Sequence, residues 1–234
     1  MKICLFGLNG IPLGKHNVKD PRLDEADRLV EAKKKTYVQV DVADAKELPT
    51  ADVIAATPDS RPDLILEDLH FVETRLDRHP AEPERAALLK LKTQLEHDGF
   101  VSEAVLTPEE KQALAVHTCF LTCKPIVVAT TEERAKPEQL ILRAHAAGGH
   151  ISFLTVGGKE NRAWSIRQGT TAWDAAGAIH SDIQKGFIRA EVISYADLVA
   201  HGGETGAKRA GKQRLEGKAY VMLDYDVVNF RFNM

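Results

Sequence analysis

The chain has 234 residues, of which 44% are hydrophobic and 28% charged, and its net charge is −3. This composition is typical of a globular protein with one large domain or two small ones, and it excludes the disordered and fibrous classes. No apolar run approaches the length of a transmembrane helix, and the start MKICLFGLNG is typical of a first strand rather than a signal peptide. We therefore expect a cytoplasmic protein without a membrane partner.

The first 150 residues alternate between strand and helix patterns. The apolar run KICLFGL predicts a buried strand that ends in a glycine-rich turn, and Asp20-Pro21 predicts the start of a short helix. The further predicted elements are strands at 36–44 and 51–56, a helical hairpin at about 61–97, a helix that starts at Thr107, a central strand at 125–130 and a helix at 136–147.

The rest of the chain, 151–234, has a different pattern. ISFLTV and RAWSIR can pair as a hairpin across GGKEN, and a helix is predicted at 172–180. The runs GFIRAEVIS, AYVML and VVNFRF then predict three strands. One helix packed on a mixed sheet of about five strands is a β-grasp pattern, and we place the boundary near His150.

The cysteines and histidines do not have the spacing of a metal site. Cys119 and Cys123 are four residues apart with no further cysteine nearby, and neither HxxxH nor HExxH occurs. We expect Cys4, Cys119 and Cys123 to be buried thiols and predict no bound metal.

The run from Phe153 to Phe232 carries a resemblance to a known family. It opens FLTVGGKENRAWSIRQGTTAWDAAGAIH and closes GGETGAKRAGKQRLEGKAYVMLDYDVVNFRF. This closely resembles the TGS module that ends the YchF (Obg-like ATPase) family of P-loop proteins. The resemblance implies an α/β (α+β) protein, in which 1–150 is a degenerate G-domain-like region with a truncated P-loop NTPase-like sheet. Residues 151–234 would then be a β-grasp (ubiquitin-like) TGS domain.

The phosphate-binding loop that this family implies is altered. A P-loop is a strand, then GxxxxGK[ST], then a helix whose N-terminus faces the phosphates. Here Gly14 and Lys15 remain, but Asn9 replaces the first glycine and His16 replaces the hydroxyl residue that holds Mg²⁺. Pro12 removes a further N–H donor, and no long helix fits before Pro21. The loop is therefore predicted to have lost phosphate binding.

Two further stretches resemble nucleotide-binding elements of the family. VKDPRLDEADRLVEAKKKTYVQVDVAD resembles the stretch from the DPRLD motif to the DxAG motif, with Asp44 in place of the glycine that senses the γ-phosphate. LTCKPIVVATTEE resembles the base-recognition strand that ends in NxxE, with Thr130 in place of the asparagine. The vestigial nucleotide-binding residues implied by the resemblance are Gly10, Gly14, Lys15, Asp41, Thr130 and Glu133.

A basic cluster near the C-terminus is the candidate partner-binding site. It consists of Lys208, Arg209, Lys212, Arg214 and Lys218, and Lys208, Arg209 and Lys212 are predicted to share a helix face. Each residue could neutralise a phosphate of RNA, or the cluster could be an ordinary solvated face. Trp173 could stack on a base or belong to the core, whereas Trp164 is expected in the core.

These features favour a non-catalytic, YchF-like TGS-domain protein that binds the ribosome, RNA or a translation-associated protein, not DNA, without a cofactor. One alternative is a weak NTPase that binds ATP or GTP with Mg²⁺ through Lys15 and the divergent loop. The other is a regulatory sensor of a small ligand through the TGS domain.

Overall fold

The structure of the protein is a computed structural model that describes residues 1–117 and 120–233. The strands are, in chain order, β1 (Lys2–Phe6), β2 (Gly14–Val18), β3 (Lys35–Thr36), β4 (Val38–Ala43), β5 (Val53–Ala56), β6 (Ile126–Val128), β7 (His150–Thr155), β8 (Asn161–Arg167), β9 (Phe187–Ile193), β10 (Arg214–Glu216) and β11 (Val227–Phe232). The α-helices are α1 (Pro21–Leu29), α2 (Arg61–Leu76), α3 (Glu84–Glu96), α4 (Pro108–Leu114), α5 (Thr131–Ala135), α6 (Pro137–Ala147), α7 (Ala172–Ile179), α8 (Ser181–Lys185), α9 (Tyr195–Ala200) and α10 (Glu204–Arg209). Short 3₁₀ helices span Ala45–Thr50, Pro58–Ser60 and Val101–Glu103. The predicted α/β class is confirmed.

The chain forms two compact units, and each is built from two stretches of sequence. The first unit comprises Met1–His16 and Asp41–Gly148, and the second comprises Asn17–Val40 and the chain from Gly149 onwards. The chain therefore crosses from the first unit to the second next to the boundary expected near residue 150. It also crosses twice earlier, because residues 17–40, which we call the excursion 17–40, belong to the second unit. The identities expected for 1–150 and 151–234 stay predictions.

The first sheet has the strand order β2-β4-β1-β5-β6, and β1 pairs in parallel with both β4 and β5. β5 pairs in parallel with β6, which lies at the edge of the sheet. The prediction of a central strand at 125–130 is therefore wrong. The apolar character of this run has another cause, since α6 packs against both β5 and β6.

Helices α2 and α3 pack together in the first unit, where the sequence predicted a helical hairpin. Their shared core includes Val72, Leu88, Leu91, Leu95 and Leu114, all buried. A second cluster joins Leu64 of α2 to Cys4 and Ile54 of the sheet. The stripes of leucine at helical spacing are therefore core positions.

The cysteine prediction is only partly correct. Cys4 is fully buried, but Cys123 is exposed, because it lies in the turn before β6. Cys119 lies outside the described residues. Across the described ranges, no group of His, Cys, Asp and Glu side chains is placed to hold a metal ion, and no helix is long and apolar enough to cross a bilayer.

The second sheet has the order β10-β9-β11-β7-β8-β3. β7 and β8 form the predicted antiparallel hairpin, and β11 lies parallel to β7 and antiparallel to β9. Helix α7 covers one face of this sheet through a core that includes Phe153, Ala176 and Phe230. This is a β-grasp arrangement, in which the last strand of the chain lies beside the first strand of the hairpin.

The excursion 17–40 contributes α1 and β3 to the second unit. β3 extends the sheet by pairing in parallel with β8, and α1 buries Leu23 and Ala26 completely. The side-chain amide of Asn161, in β8, donates to Asp27 at 2.8 Å and to the carbonyl of Val30 at 2.6 Å. These partners make α1 an integral part of this unit.

The strand predicted at AYVML does not form. Residues 217–226, between β10 and β11, are a loop that has a single isolated bridge, from Val221 to Thr171. The N–H of Ala172 donates to the Tyr220 carbonyl at 2.7 Å, and that of Met222 donates to the Thr170 carbonyl at 3.0 Å. The apolar run therefore packs along the start of α7 instead of entering the sheet.

Candidate functional site

The carboxyl ends of β1 and β5 are where a parallel sheet of this order binds ligands, because the chain connections diverge there. In this structure the backbone carbonyl of Phe6 accepts hydrogen bonds from the Thr57 N–H at 3.3 Å and the Ser60 hydroxyl at 3.1 Å. Gly7 follows with φ of +70°, and a Cβ there would lie 2.7 Å from the Ser60 Cβ. Thr57 and Ser60 therefore occupy the space next to Phe6 and Gly7, and a cavity of about 670 Å³ lies on another side of Phe6.

The loop 7–13 connects β1 to β2, so a strand follows it and not a helix. Gly10 and Gly14 have φ of +85° and +107°, and a Cβ at either position would meet no atom within 4 Å. Lys15 is exposed on β2, and the His16 Nε2 lies 2.7 Å from the Pro12 carbonyl oxygen. Without a helix N-terminus, this loop lacks the aligned N–H groups and the dipole that hold a phosphate.

The position of the γ-phosphate sensor in the resemblance is used for a helix cap. Asp44 precedes the 3₁₀ helix Ala45–Thr50 and accepts a hydrogen bond from the Lys46 N–H at 2.9 Å. Asp41 is exposed on β4, and its N–H donates to the Met1 carbonyl. Both carboxylates, with Glu47, line a cavity of about 370 Å³. Lys2 also lines it but is paired with Glu47, so the two remaining carboxylates leave a wall that would repel a phosphate.

The 3₁₀ segment is held in place by two lysines. Lys2 forms an ion pair with Glu47, and its ammonium also donates to the Thr50 hydroxyl at 2.9 Å. The Lys124 ammonium, whose pKa is lowered by burial, donates to three carbonyl oxygens. These are Leu48 at 2.8 Å, Pro49 at 2.6 Å and Ala51 at 3.1 Å. Three backbone carbonyls in and after the 3₁₀ segment are therefore held by one lysine side chain.

Thr130 and Glu133 form a capping box at the start of α5. The Glu133 carboxylate accepts from the Thr130 N–H at 2.9 Å, and the Thr130 hydroxyl accepts from the Glu133 N–H at 3.2 Å. Arg143 donates to both oxygens of the buried Glu133, at 2.7 and 2.6 Å, and this pairing holds the pKa of Glu133 below its usual range. The signature TTEE allows this interpretation from sequence alone.

The basic cluster does not share one helix face. α10 ends at Arg209, and Gly211 adopts the left-handed conformation with φ of +70°, which terminates the helix. The predicted common face of Lys208, Arg209 and Lys212 is therefore wrong, since Lys212 follows the helix.

Three of the five basic residues are ion-paired within the second unit. The pairs are Lys208–Glu204 at 2.5 Å, Lys212–Asp197 at 3.5 Å and Arg214–Glu216 at 3.1 Å. The Arg214 guanidinium also lies over the Tyr220 ring, 5.7 Å from its centroid. Arg209 and Lys218 are exposed, and neither has an ion pair to another described residue. Within the basic cluster, three side chains are therefore paired with carboxylates, whereas Arg209 and Lys218 have no ion pair among the described residues.

One exposed surface combines aromatic, apolar and basic side chains, and we call it the Trp173 face. It consists of Trp173 at the start of α7 with Lys218, Val221 and Leu223 of the 217–226 loop. Trp173 is 38% exposed, Val221 50% and Leu223 57%. The backbone N–H of Trp173 donates to the Lys218 carbonyl at 3.3 Å, so the loop runs beside the start of α7. Trp164 instead packs on the core, as predicted, and its indole N–H donates to Thr155 at 3.0 Å.

Sequence analysis missed a group of residues around Arg22. Its guanidinium donates to Asp224 at 2.7 Å and to Asp20 at 2.7 Å, and lies 3.7 Å from the centroid of the Tyr225 ring. The motif DPRLD correctly indicated a helix start, with Asp20 as N-cap. No local signal could have indicated a partner 202 residues away in the chain.

Comparison with known proteins finds relatives of the C-terminal part of the chain. Residues 150–233 match the family model YchF-GTPase_C, described as a protein of unknown function (DUF933). The C-terminal part of the chain is thus similar to the C-terminal part of YchF proteins. The ribosome-binding ATPase YchF of Bacillus subtilis is 52% identical over 97 residues, which are 42% of this chain and 26% of the relative. That of Haemophilus influenzae is 57% identical over 83 residues, which are 36% of this chain and 23% of the relative.

The sequence matches thus cover about a quarter of these relatives' own length. A solved structure, that of the Schizosaccharomyces pombe YchF GTPase, superposes with a TM-score of 0.74. The alignment covers 99% of this chain and 97% of that chain at 19% sequence identity. At this identity the likeness shows a shared fold, so the first unit has a YchF-like architecture.

Proposed function

We propose that the protein binds the ribosome through the Trp173 face of its second unit, which we take for a TGS domain, and that it does not hydrolyse nucleotides. The two bacterial relatives named above are ribosome-binding ATPases by name, and the segment matched by the YchF model includes the residues of this face. A cytoplasmic location goes with this partner. RNA alone, or a translation-associated protein, would be recognised by the same kind of surface.

The observation that carries the proposal is the composition of the Trp173 face. Lys218 is exposed and has no ion pair to any residue in the described ranges, so its charge is available to a phosphate. The exposed indole of Trp173 offers a stacking surface, and stacking on a base contributes about 1–3 kcal/mol. Ribosomal RNA presents both phosphates and unstacked bases.

Three features support the absence of catalysis. The crevice at the end of β1 is occupied by Thr57 and Ser60, the loop 7–13 leads into a strand, and Asp44 and Glu133 serve as helix caps. Each of these removes a different requirement of phosphate or base binding. A weak ATP or GTP site with Mg²⁺ is the second candidate, because Lys15 is exposed and Gly10 and Gly14 are free of steric contacts.

Co-sedimentation of the full chain with purified bacterial ribosomes tests the proposal. We expect Lys218→Ala to weaken binding about fivefold and to lower the salt dependence by about one counterion. Lys159→Ala is the matched control, because Lys159 is exposed in the turn between β7 and β8, at the opposite end of β8 from α7. Equal affinities of the two variants, or no sedimentation of the wild-type protein, would contradict the proposal.

A further inference from the structure

The 217–226 loop, which carries most of the Trp173 face, is fixed at one corner by hydrogen bonds of Asp224 and by the buried Tyr225. Asp224 accepts the Ser152 N–H at 3.0 Å through one carboxylate oxygen and Arg22 through the other at 2.7 Å. Tyr225 is only 2% exposed and adopts a left-handed conformation with φ of +63°. Its N–H donates to the Ser152 carbonyl at 2.6 Å. The corner is thus attached to β7 on one side and to Arg22 on the other.

Arg22 contacts this corner in two ways. Its guanidinium forms a charge-assisted hydrogen bond to Asp224 and lies over the Tyr225 ring, 3.7 Å from the centroid. Asp20, buried at the N-cap of α1, accepts from Nε and Nη2 of the same guanidinium and so fixes its orientation. The guanidinium presents its donors in a fixed plane, so it makes three hydrogen bonds to Asp20 and one to Asp224 while it lies over the ring, a geometry that a point-like lysine ammonium does not reproduce.

The corner is continuous with the exposed residues of the loop. Asp226 accepts from the Leu223 N–H at 2.9 Å and from the Tyr220 hydroxyl at 2.8 Å. The Met222 N–H reaches back to Thr170, next to the helix that carries Trp173. Leu223 lies between these fixed points, so displacement of Asp224 and Tyr225 would move it directly and would reach Val221 through the Met222–Thr170 hydrogen bond.

We propose that Arg22 is a positioning residue for the partner-binding face: it holds the 217–226 loop in the conformation in which Lys218, Val221 and Leu223 lie beside Trp173. The functional part of this inference rests on the proposed ribosome binding, whereas the positioning itself does not. It assigns a role to the DPRLD stretch that is independent of nucleotide. The excursion 17–40, in the half of the chain that resembles an NTPase, thereby becomes a determinant of the binding surface of the other half.

Hydrogen exchange of the full chain without ribosomes tests the positioning. The amides of residues 222, 223, 225 and 226 are all hydrogen-bonded, so they report on the loop. We expect Arg22→Ala to accelerate their exchange about tenfold or more, and exchange in β9 to stay unchanged. Arg28→Ala is the control, since Arg28 is exposed on the same helix and the charge change is identical. Unchanged exchange in the loop of the Arg22 variant would overturn the inference.

Two more variants separate positioning from general stability. Arg22→Lys keeps the charge but not the fork, and we expect it to mobilise the loop nearly as much as alanine does. Asp224→Asn leaves α1 intact and removes the charged partner, so it serves if the Arg22 variants do not fold. If the loop amides of Arg22→Lys were as protected from hydrogen exchange as those of the wild type, the geometric role of the guanidinium would be contradicted.

Ribosome co-sedimentation of the same variants tests the functional consequence. Arg22→Ala is expected to weaken binding about tenfold at a temperature at which the protein is fully folded. If Lys218→Ala weakens binding but the mobile Arg22 variant binds normally, the positioning role in binding is wrong. If neither variant changes binding while the loop is mobile, the proposed ribosome site fails and the structural role of Arg22 stands.

Discussion

The loop 7–13 and the loop 217–226 both follow a strand, and both lie in regions that resemble YchF proteins, but their polar groups are arranged in opposite ways. In the first loop, Thr57 and Ser60 occupy the crevice at the end of β1, and the His16 ring pairs with the Pro12 carbonyl. In the second loop, Asp224 and Tyr225 anchor one corner through Ser152 and Arg22, and the exposed side chains include Lys218, Val221 and Leu223. Polar groups that are already hydrogen-bonded within the protein are not available to a ligand. A loop that is anchored at one corner instead presents its exposed side chains as a preformed surface.

The largest effect is expected from the packing of α1, on which the anchoring of the second loop depends. Leu23 is fully buried, so Leu23→Ala should destabilise the second unit by about 2–5 kcal/mol. Trp164 and Trp173, the two tryptophans of the chain, both belong to that unit, so the unfolding midpoint measured by tryptophan fluorescence should fall.

Leu88→Ala is the matched control for this measurement, because Leu88 is equally buried but lies in the first unit. Leu88→Ala should lower the midpoint of the unfolding transition seen by far-UV circular dichroism and leave the midpoint seen by tryptophan fluorescence unchanged. A fluorescence midpoint that does not respond to Leu23→Ala would show that the excursion 17–40 is not an energetic part of the second unit.

A smaller effect is expected at Glu133, which the resemblance placed in nucleotide recognition and the structure places in a helix cap. Glu133→Gln leaves Arg143 without its charged partner and should destabilise the first unit by about 1–2 kcal/mol at neutral pH. The folded-state pKa of Glu133 is below its ordinary value of 4.5, so the stabilisation is present above pH 4.5 and is lost as the pH falls through the folded value.

Denaturant unfolding of the wild type and the glutamine variant at a series of pH values checks this. The difference between the two free energies of unfolding should shrink below pH 4.5. A constant difference across the acidic range would mean that the carboxylate charge contributes nothing, and that the cap acts only through its neutral hydrogen bonds.

The smallest effect is expected at Lys15. It is exposed on β2, and substitution by alanine should change the free energy of unfolding by less than about 0.5 kcal/mol. Titration with labelled ATP and GTP, with and without Mg²⁺, should show no binding in either protein. Mg²⁺-dependent binding that disappears in Lys15→Ala would break the contrast between the two loops and restore the NTPase alternative.

Much of this protein could be predicted from local sequence. The β7–β8 hairpin and α7 follow from alternating apolar residues and from the Thr171 N-cap, because each lies within a few residues of its determinants. The departures from the P-loop motif at Asn9, Pro12 and His16 can also be seen in local sequence, because a phosphate loop needs particular residues at fixed spacing. The resemblance over 153–232 to the end of YchF proteins is borne out by the family model that matches 150–233.

Tertiary structure alone decided which segments meet. The excursion 17–40 joins the second unit because Leu23, Ala26 and the Arg22 guanidinium contact partners there. The sequence could not predict this, because helical periodicity indicates which face of a helix is apolar but not which segment covers that face. The apolar run 219–223 became a loop because its backbone pairs with the start of α7. Lys124 reaches carbonyl oxygens that lie more than 70 residues earlier in the chain. Such pairings depend on packing between distant segments, for which local propensity carries no information.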